Sequence, residues 1–129
     1  MKKYSKQREI IISSLKNRKD HPTAEELFLD LKKSMPEIGI ATVYRNLQSL
    51  CQNDEIIKIK TKSGVDRYDG NIKPHIHFEC LKCGKVSDIS LEDEQINKLD
   101  NDMKKLANEI GAHQEEFSII ISGVCKNCN

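Results

Sequence analysis

The stretch "EIIKIKTKSGVDRYD", Glu55 to Asp69, decides the first half of the fold. Ile57, Lys58, Ile59 and Lys60 alternate apolar and polar, the period of a half-buried strand. Ser63-Gly64 marks a turn, and Val65 and Tyr68 carry a returning strand. The segment is predicted as a basic β-hairpin.

Three helical patterns precede it. "YSKQREIIISSL" (4–15) places Ile11, Ile12 and Leu15 on one face. In "HPTAEELFLDLKK" (21–33), Thr23 and Glu26 have capping-box spacing, where each side chain satisfies an orphan backbone donor. Ala24, Leu27, Phe28 and Leu31 then form a core-facing stripe. In "IGIATVYRNLQSLCQNDEI" (38–56), Val43, Leu47 and Leu50 face inward with Cys51 beside them, a packing residue by its helical phase. The opposite face shows Thr42, Arg45, Asn46 and Ser49, with no acid among them. Arginine and asparagine are the types that make bidentate contacts with guanine and adenine edges. Three helices followed by a basic hairpin describe a winged helix. The third helix would enter a major groove, and Lys58, Lys60 and Lys62 would lie near phosphates.

Charge agrees. Residues 1–73 carry 15 Lys/Arg against 10 Asp/Glu, and residues 74–129 carry 6 against 10. A net of +5 joined to a net of −4 suggests that the first half meets a polyanion. The start, "MKKYSKQREI", lacks the apolar run of a signal peptide, and no stretch approaches the ~18 apolar residues of a membrane helix. The expectation is a cytoplasmic protein with reduced cysteines and no membrane partner.

The second half carries the metal chemistry. "KPHIHFECLKCGKVSDI" (73–89) holds two histidines and a C-x-x-C, Cys80 and Cys83. Cys125 and Cys128, in "GVCKNCN", form another. Four thiolates make the closed tetrahedral set of a structural zinc. The long gap between the pairs must hold a helix and a strand, so the zinc would pin the C-terminus onto the "HIHFEC" strand. His75 and His77, one residue apart, project from one strand face, half of a second metal site. Asp69, Asp88 and His21 are further candidate ligands. An H-x-H pair plus a third histidine also builds hydrolytic zinc sites, but two extra carboxylates would crowd the open position that catalysis needs. With no separate general acid or base evident, an enzyme is not expected. "DEQINKLDNDMKKLANEI" (93–110) is a long amphipathic helix along Ile96, Leu99, Met103, Leu106 and Ile110. "EEFSIIIS" (115–122) is predicted as a strand apolar on both faces, which suggests cover from a second subunit. His113 is expected to be a surface residue without a pairing partner.

Several of these motifs together resemble the ferric uptake regulator family of bacterial metal-dependent repressors: "SKQR" (5–8), "HPTAEEL" (21–27), "ATVYRNL" (41–47), "RYD" (67–69), "HIHFECLKCGKVSD" (75–88) and "GVCKNC" (123–128). The resemblance implies an α+β chain: a winged-helix DNA-binding domain (1–70), a hinge (71–74) and a small α/β dimerisation domain with a four-cysteine structural zinc site (75–129). It implies a homodimer on palindromic double-stranded operator DNA, with Thr42, Tyr44, Arg45, Asn46 and Ser49 as contacts. The chain looks most like the peroxide-sensing branch, whose regulatory Fe²⁺ or Mn²⁺ takes three imidazoles and two carboxylates. The matching positions are His21, Asp69, His75, His77 and Asp88. In that branch hydrogen peroxide oxidises a ligand histidine at ferrous iron, here His21 or His75, and the operator is released. A status sensor for iron or manganese, without peroxide chemistry, would use the same five ligands. Where the iron-sensing branch places a further site, this chain has Pro74, Ile76 and Phe117. Three features depart from the family pattern. This chain starts almost at "SKQR", where a helix usually precedes; Gly39 replaces the usual serine before the third helix; and Arg45 stands where some peroxide sensors have asparagine.

Overall fold

Thr23 and Glu26 set where the second helix starts. In the computed structural model, Glu26 N–H donates to Thr23 Oγ1 at 3.1 Å, and Thr23 N–H donates to Glu26 Oε1 at 2.9 Å. Both halves of the capping box are therefore made. The structure describes residues 2–73 and 75–129, so the hinge position Pro74 lies outside the described residues. The chain divides into two compact units, Met1–Lys73 and Pro74–Asn129.

The first unit contains helices α1 (Lys2–Lys16), α2 (Ala24–Ser34) and α3 (Ile40–Gln52), then strands β1 (Ile57–Lys60) and β2 (Asp66–Asp69). Its core joins Ile11 and Leu15 of α1, Ala24, Leu27 and Leu31 of α2, and Val43, Leu47 and Leu50 of α3. Ile38, Ile56 and Tyr68 close it, with Ile12, Phe28 and Cys51 packed half-buried at its margin. The inward faces predicted for the three helices are thus the faces observed. Gly39 occupies the N-cap of α3 without a side-chain cap, as expected from the missing serine. β1 and β2 pair antiparallel, Ile57 opposite Asp69 through Lys60 opposite Asp66. The turn between them holds Gly64 at φ +89°, a backbone region that glycine enters without steric penalty. This is a winged helix.

The second unit is an open three-stranded sheet, β4-β3-β5, with one helix. β3 (Ile76–Cys80) pairs antiparallel with β4 (Val86–Ile89) and parallel with β5 (Ile120–Gly123). The parallel pair requires a crossover, which α4 (Asp93–Glu109) supplies. α4 has no buried residue, and Leu106 is 57% exposed.

The predicted strand over 115–122 is shorter and later, Ile120–Gly123. The reason is its partner. β5 pairs with β3 from His77 to Cys80 only, and the last ladder bond beyond that runs from His77 N–H to Ile119 O at 3.2 Å. Residues 115–118 extend past the N-terminal end of β3 and have no strand beside them among the described residues. His113 is exposed as expected, but it does have a neighbour, Glu115 Oε1 at 3.7 Å.

Candidate metal centres and nucleic-acid face

The four paired cysteines converge. Their sulfur atoms lie within 4.8 Å of one another, and Cys83 Sγ and Cys125 Sγ are 3.9 Å apart. Four thiolates at ~2.3 Å from a tetrahedral zinc stand roughly 3.8 Å from each other, so the set fits that ion. β3 delivers Cys80, the turn after it delivers Cys83, and Gly84 completes the knuckle at φ +77°. The parallel β5 ladder brings Gly123 opposite Cys80, and Leu81 N–H donates to Gly123 O at 2.7 Å. Cys125 and Cys128 follow on the next turn. Backbone N–H groups of Cys83 and Cys125, each 3.4 Å from Cys80 Sγ, pull that thiol down to about 6. The neighbouring sulfurs, Cys125 first, push Cys128 up to about 12. Four thiols crowded at one point cannot all ionise without a cation to share the charge. Zinc supplies that charge.

A second cluster stands at the other end of β3. His77 lies directly opposite Asp88 across the β3–β4 ladder. His75 falls one residue before the strand, yet its ring meets that of His77 edge-on at 4.5 Å between centroids. The two Nε2 atoms are 3.0 Å apart. Asp88 Oδ1 lies 3.0 Å from His75 Nε2 and 3.4 Å from His77 Nε2. Two donors placed at right angles around an ion at ~2.1 Å stand about 3.0 Å apart. Two imidazoles and a carboxylate on one face are also the ligand set of non-haem ferrous centres that react with oxygen species.

The first unit assembles its own pair. His21 and Asp69 are both buried, with His21 Nδ1 and Asp69 Oδ1 at 3.7 Å. Asp69 Oδ1 also accepts from Asn71 N–H at 2.8 Å, which fixes the carboxylate at the end of β2. His21 has φ +49°, a left-handed conformation that costs a non-glycine residue ~1–2 kcal/mol. Gly70 follows Asp69 because nothing larger fits: an added Cβ would lie 2.7 Å from the Lys16 backbone nitrogen.

The predicted groove-facing side chains are less free than their helical phase implies. Ser49 Oγ accepts from Arg8 Nη1 at 3.0 Å, and Arg8 also pairs with Glu55. Asn46 Nδ2 donates back to the Thr42 carbonyl at 2.9 Å, and Arg45 Nη2 rests on Thr42 Oγ1 at 3.2 Å. Tyr44, 44% exposed, donates to Glu25 at 2.9 Å. Arg45 and Tyr44 therefore present the most reachable tips. In the hairpin, Lys58 lies 3.9 Å from Asp66, and Lys60 is exposed. Sequence reasoning missed Arg8, Glu55 and Arg67, whose partners lie 41 to 47 residues away. The quoted motifs "SKQR" and "RYD" include Arg8 and Arg67, and no motif pointed to Glu55. No helix among the described residues is long and apolar enough to cross a membrane.

A winged helix joined to an α/β unit with clustered thiolates and a His/Asp set defines a metal-responsive DNA-binding regulator. The chain belongs to the ferric uptake regulator family, whose model matches residues 2–121. The ferric uptake regulation protein of Bacillus subtilis is 38% identical over 136 residues, 98% of this chain and 85% of that one. The Campylobacter jejuni peroxide stress regulator superposes with a TM-score of 0.82 at 32% identity, covering 98% of this chain and 91% of that one. The Helicobacter pylori ferric uptake regulator, whose structure reveals three functional metal binding sites, superposes with a TM-score of 0.78 at 27% identity, covering 95% and 79%. Regulators of this family are DNA-binding dimers and not enzymes. This chain carries a four-cysteine site for zinc and a His/Asp regulatory site for iron or manganese.

Proposed function

We propose that the protein is a cytoplasmic homodimeric repressor that releases palindromic operator DNA when hydrogen peroxide oxidises its iron site. The observation that carries this reading is the His75, His77 and Asp88 set, two imidazoles and one carboxylate with donor atoms 3.0–3.4 Å apart. His21 and Asp69 complete the five ligands. Two hard oxygens beside three imidazoles suit Fe²⁺ or Mn²⁺ better than a thiolate set does. Residues 1–70 form the DNA-binding domain, 71–74 the hinge and 75–129 the dimerisation domain. Ligands from both sides of the hinge make the ion a clamp: bound, it favours the conformation in which two α3 helices match successive major-groove turns. Thr42, Tyr44, Arg45, Asn46 and Ser49 form the operator-facing surface, with Arg45, braced on Thr42, and Tyr44 reaching furthest. Oxygen added to an imidazole carbon of His21 or His75 spoils the ligand set and opens the clamp.

A second reading is a metal-status regulator without peroxide chemistry. The identity to the Bacillus subtilis ferric uptake regulation protein favours it. One experiment separates the two. The zinc-loaded protein receives Fe²⁺ without air, then a pulse of hydrogen peroxide, and its peptides are weighed. A gain of one oxygen on His21 or His75, absent with Mn²⁺, is the expected result. Unmodified histidines, with DNA binding still dependent on added metal, would leave the metal-status reading.

A further inference from the structure

Pro22 has no N–H, so the segment His21-Pro22-Thr23 has few donors of its own, and its carbonyls are met from outside. β2 meets both. Tyr68 N–H donates to Pro22 O at 3.0 Å, and Arg67 Nη1 donates to His21 O at 3.0 Å. Thr23 and Arg67 also form an isolated antiparallel bridge. The same Nη1 lies 3.3 Å from Glu26 Oε1, the oxygen that accepts Thr23 N–H in the capping box. Arg67 thus ties the carbonyl of His21 to the fixed first turn of α2, with its side chain 20% exposed.

That tie acts on a residue under strain. His21 is left-handed at φ +49°, and a residue before proline otherwise prefers extended backbone. Relaxation of the His21 peptide would swing the imidazole away from Asp69, the partner 3.7 Å from its Nδ1. The Pro22 carbonyl bond and the capping box do not depend on the Arg67 side chain and would survive its loss.

We infer that Arg67 is a positioning residue for the regulatory metal: by holding the His21 carbonyl it keeps the His21 imidazole in ligand geometry beside Asp69. The inference rests on the reading of His21 as a ligand. Hydrogen bonds that orient a ligand group directly change metal affinity by roughly 10–100-fold, and a tie through the ligand's backbone is expected at the lower end of that range.

The test is a Mn²⁺ titration of the full-length zinc-loaded protein, read as the paramagnetic resonance signal of free Mn²⁺. Arg67→Ala should weaken Mn²⁺ binding about tenfold or more, with zinc content and helical circular dichroism unchanged. Arg67→Lys, which retains a cationic donor, should recover most of that loss. Glu26→Gln, which leaves an acceptor for Thr23 N–H, should bind close to wild type. His21→Ala separates the two layers: wild-type Mn²⁺ affinity in that variant would overturn the ligand reading itself. Loss of Mn²⁺ in His21→Ala with none in Arg67→Ala would overturn the positioning role alone. Loss of zinc together with Mn²⁺ in Arg67→Ala would also overturn it, because the effect would then be structural. Should Arg67→Ala fail to fold, Arg67→Met carries the comparison, and equal affinities for the Met and Lys variants would overturn the donor role.

Discussion

The two units hold themselves together by different means. In the first, eleven buried residues from three helices and the hairpin make one apolar cluster, from Ile11 to Tyr68. In the second, the buried apolar residues among those described are Ile76, Cys80 and Val86, and α4 contributes none. A unit this short buries so little surface that its stability is marginal. Ligand bonds at one end of β3 would add to it, and so would a partner subunit if residues 75–129 dimerise as proposed, with the exposed side of α4 a candidate contact. The first unit is held by packing, and the second carries the thiolate cluster in place of a large core.

Removing the zinc should therefore break one unit and spare the other. Cys80→Ser should lose the metal, and amide-exchange protection should fall throughout 75–129 while the helices of 1–73 stay protected. The effect is the largest expected here, since structural zinc contributes about 10–16 kcal/mol in small zinc-dependent folds. A mutant whose second unit kept wild-type protection would show that the sheet stands without its metal, and the comparison would collapse.

Leucine truncation sharpens the same comparison at a smaller scale. Leu47, fully buried in the first core, should cost about 2–5 kcal/mol as Leu47→Ala, read from the denaturant midpoint. Leu106, 57% exposed, should behave differently. In a dilute monomer Leu106→Ala should stay within ~0.5 kcal/mol, as for ordinary surface changes. At concentrations where the dimer forms, it should raise the dissociation constant in sedimentation equilibrium. An unchanged constant would remove this face of α4 from the interface.

How much of this was legible beforehand follows the range of each interaction. The capping box of Thr23 and Glu26, the turn at Gly64 and the two C-x-x-C knuckles are local, and their spacing alone reveals them. The helix faces of Leu27, Val43 and Leu47 follow from periodicity, which also registers burial correctly. The side-chain ties were hidden. Nothing local to Ser49 announces that Arg8 holds it across 41 residues, or that Arg67 holds the His21 carbonyl across 46. Helical phase marked Asn46 as free to read a base, whereas its amide turns back onto the Thr42 carbonyl. The strand predicted over 115–122 failed for a related reason. β-propensity reports what a segment could pair with, and β3 supplies a partner only as far as His77.

Cys51 offers the smallest and most local test of the packed unit. Burial pushes its thiol up, outweighing the opposing pull of Lys58. A raised thiol pKa means that the folded state holds a proton that the unfolded chain would release. Stability contributed by that proton is fully present below the unfolded pKa, about 8.5, and declines as pH rises through the folded one. Tyr68, pushed up to about 12 by burial, adds a loss of the same sign, but only above the ordinary tyrosine range near 10. Between roughly pH 8.5 and 10 the slope therefore belongs to Cys51 within the first unit. In zinc-loaded protein, where the other four thiols are metal-bound, alkylation of Cys51 should be slower than that of a free thiol peptide at pH 8. Its rate should keep rising about tenfold per pH unit past the point where the peptide levels off, since only thiolate reacts. A rate matching the peptide would mean that the C-terminal turn of α3 opens readily, and that even the packed unit is loose where that helix ends.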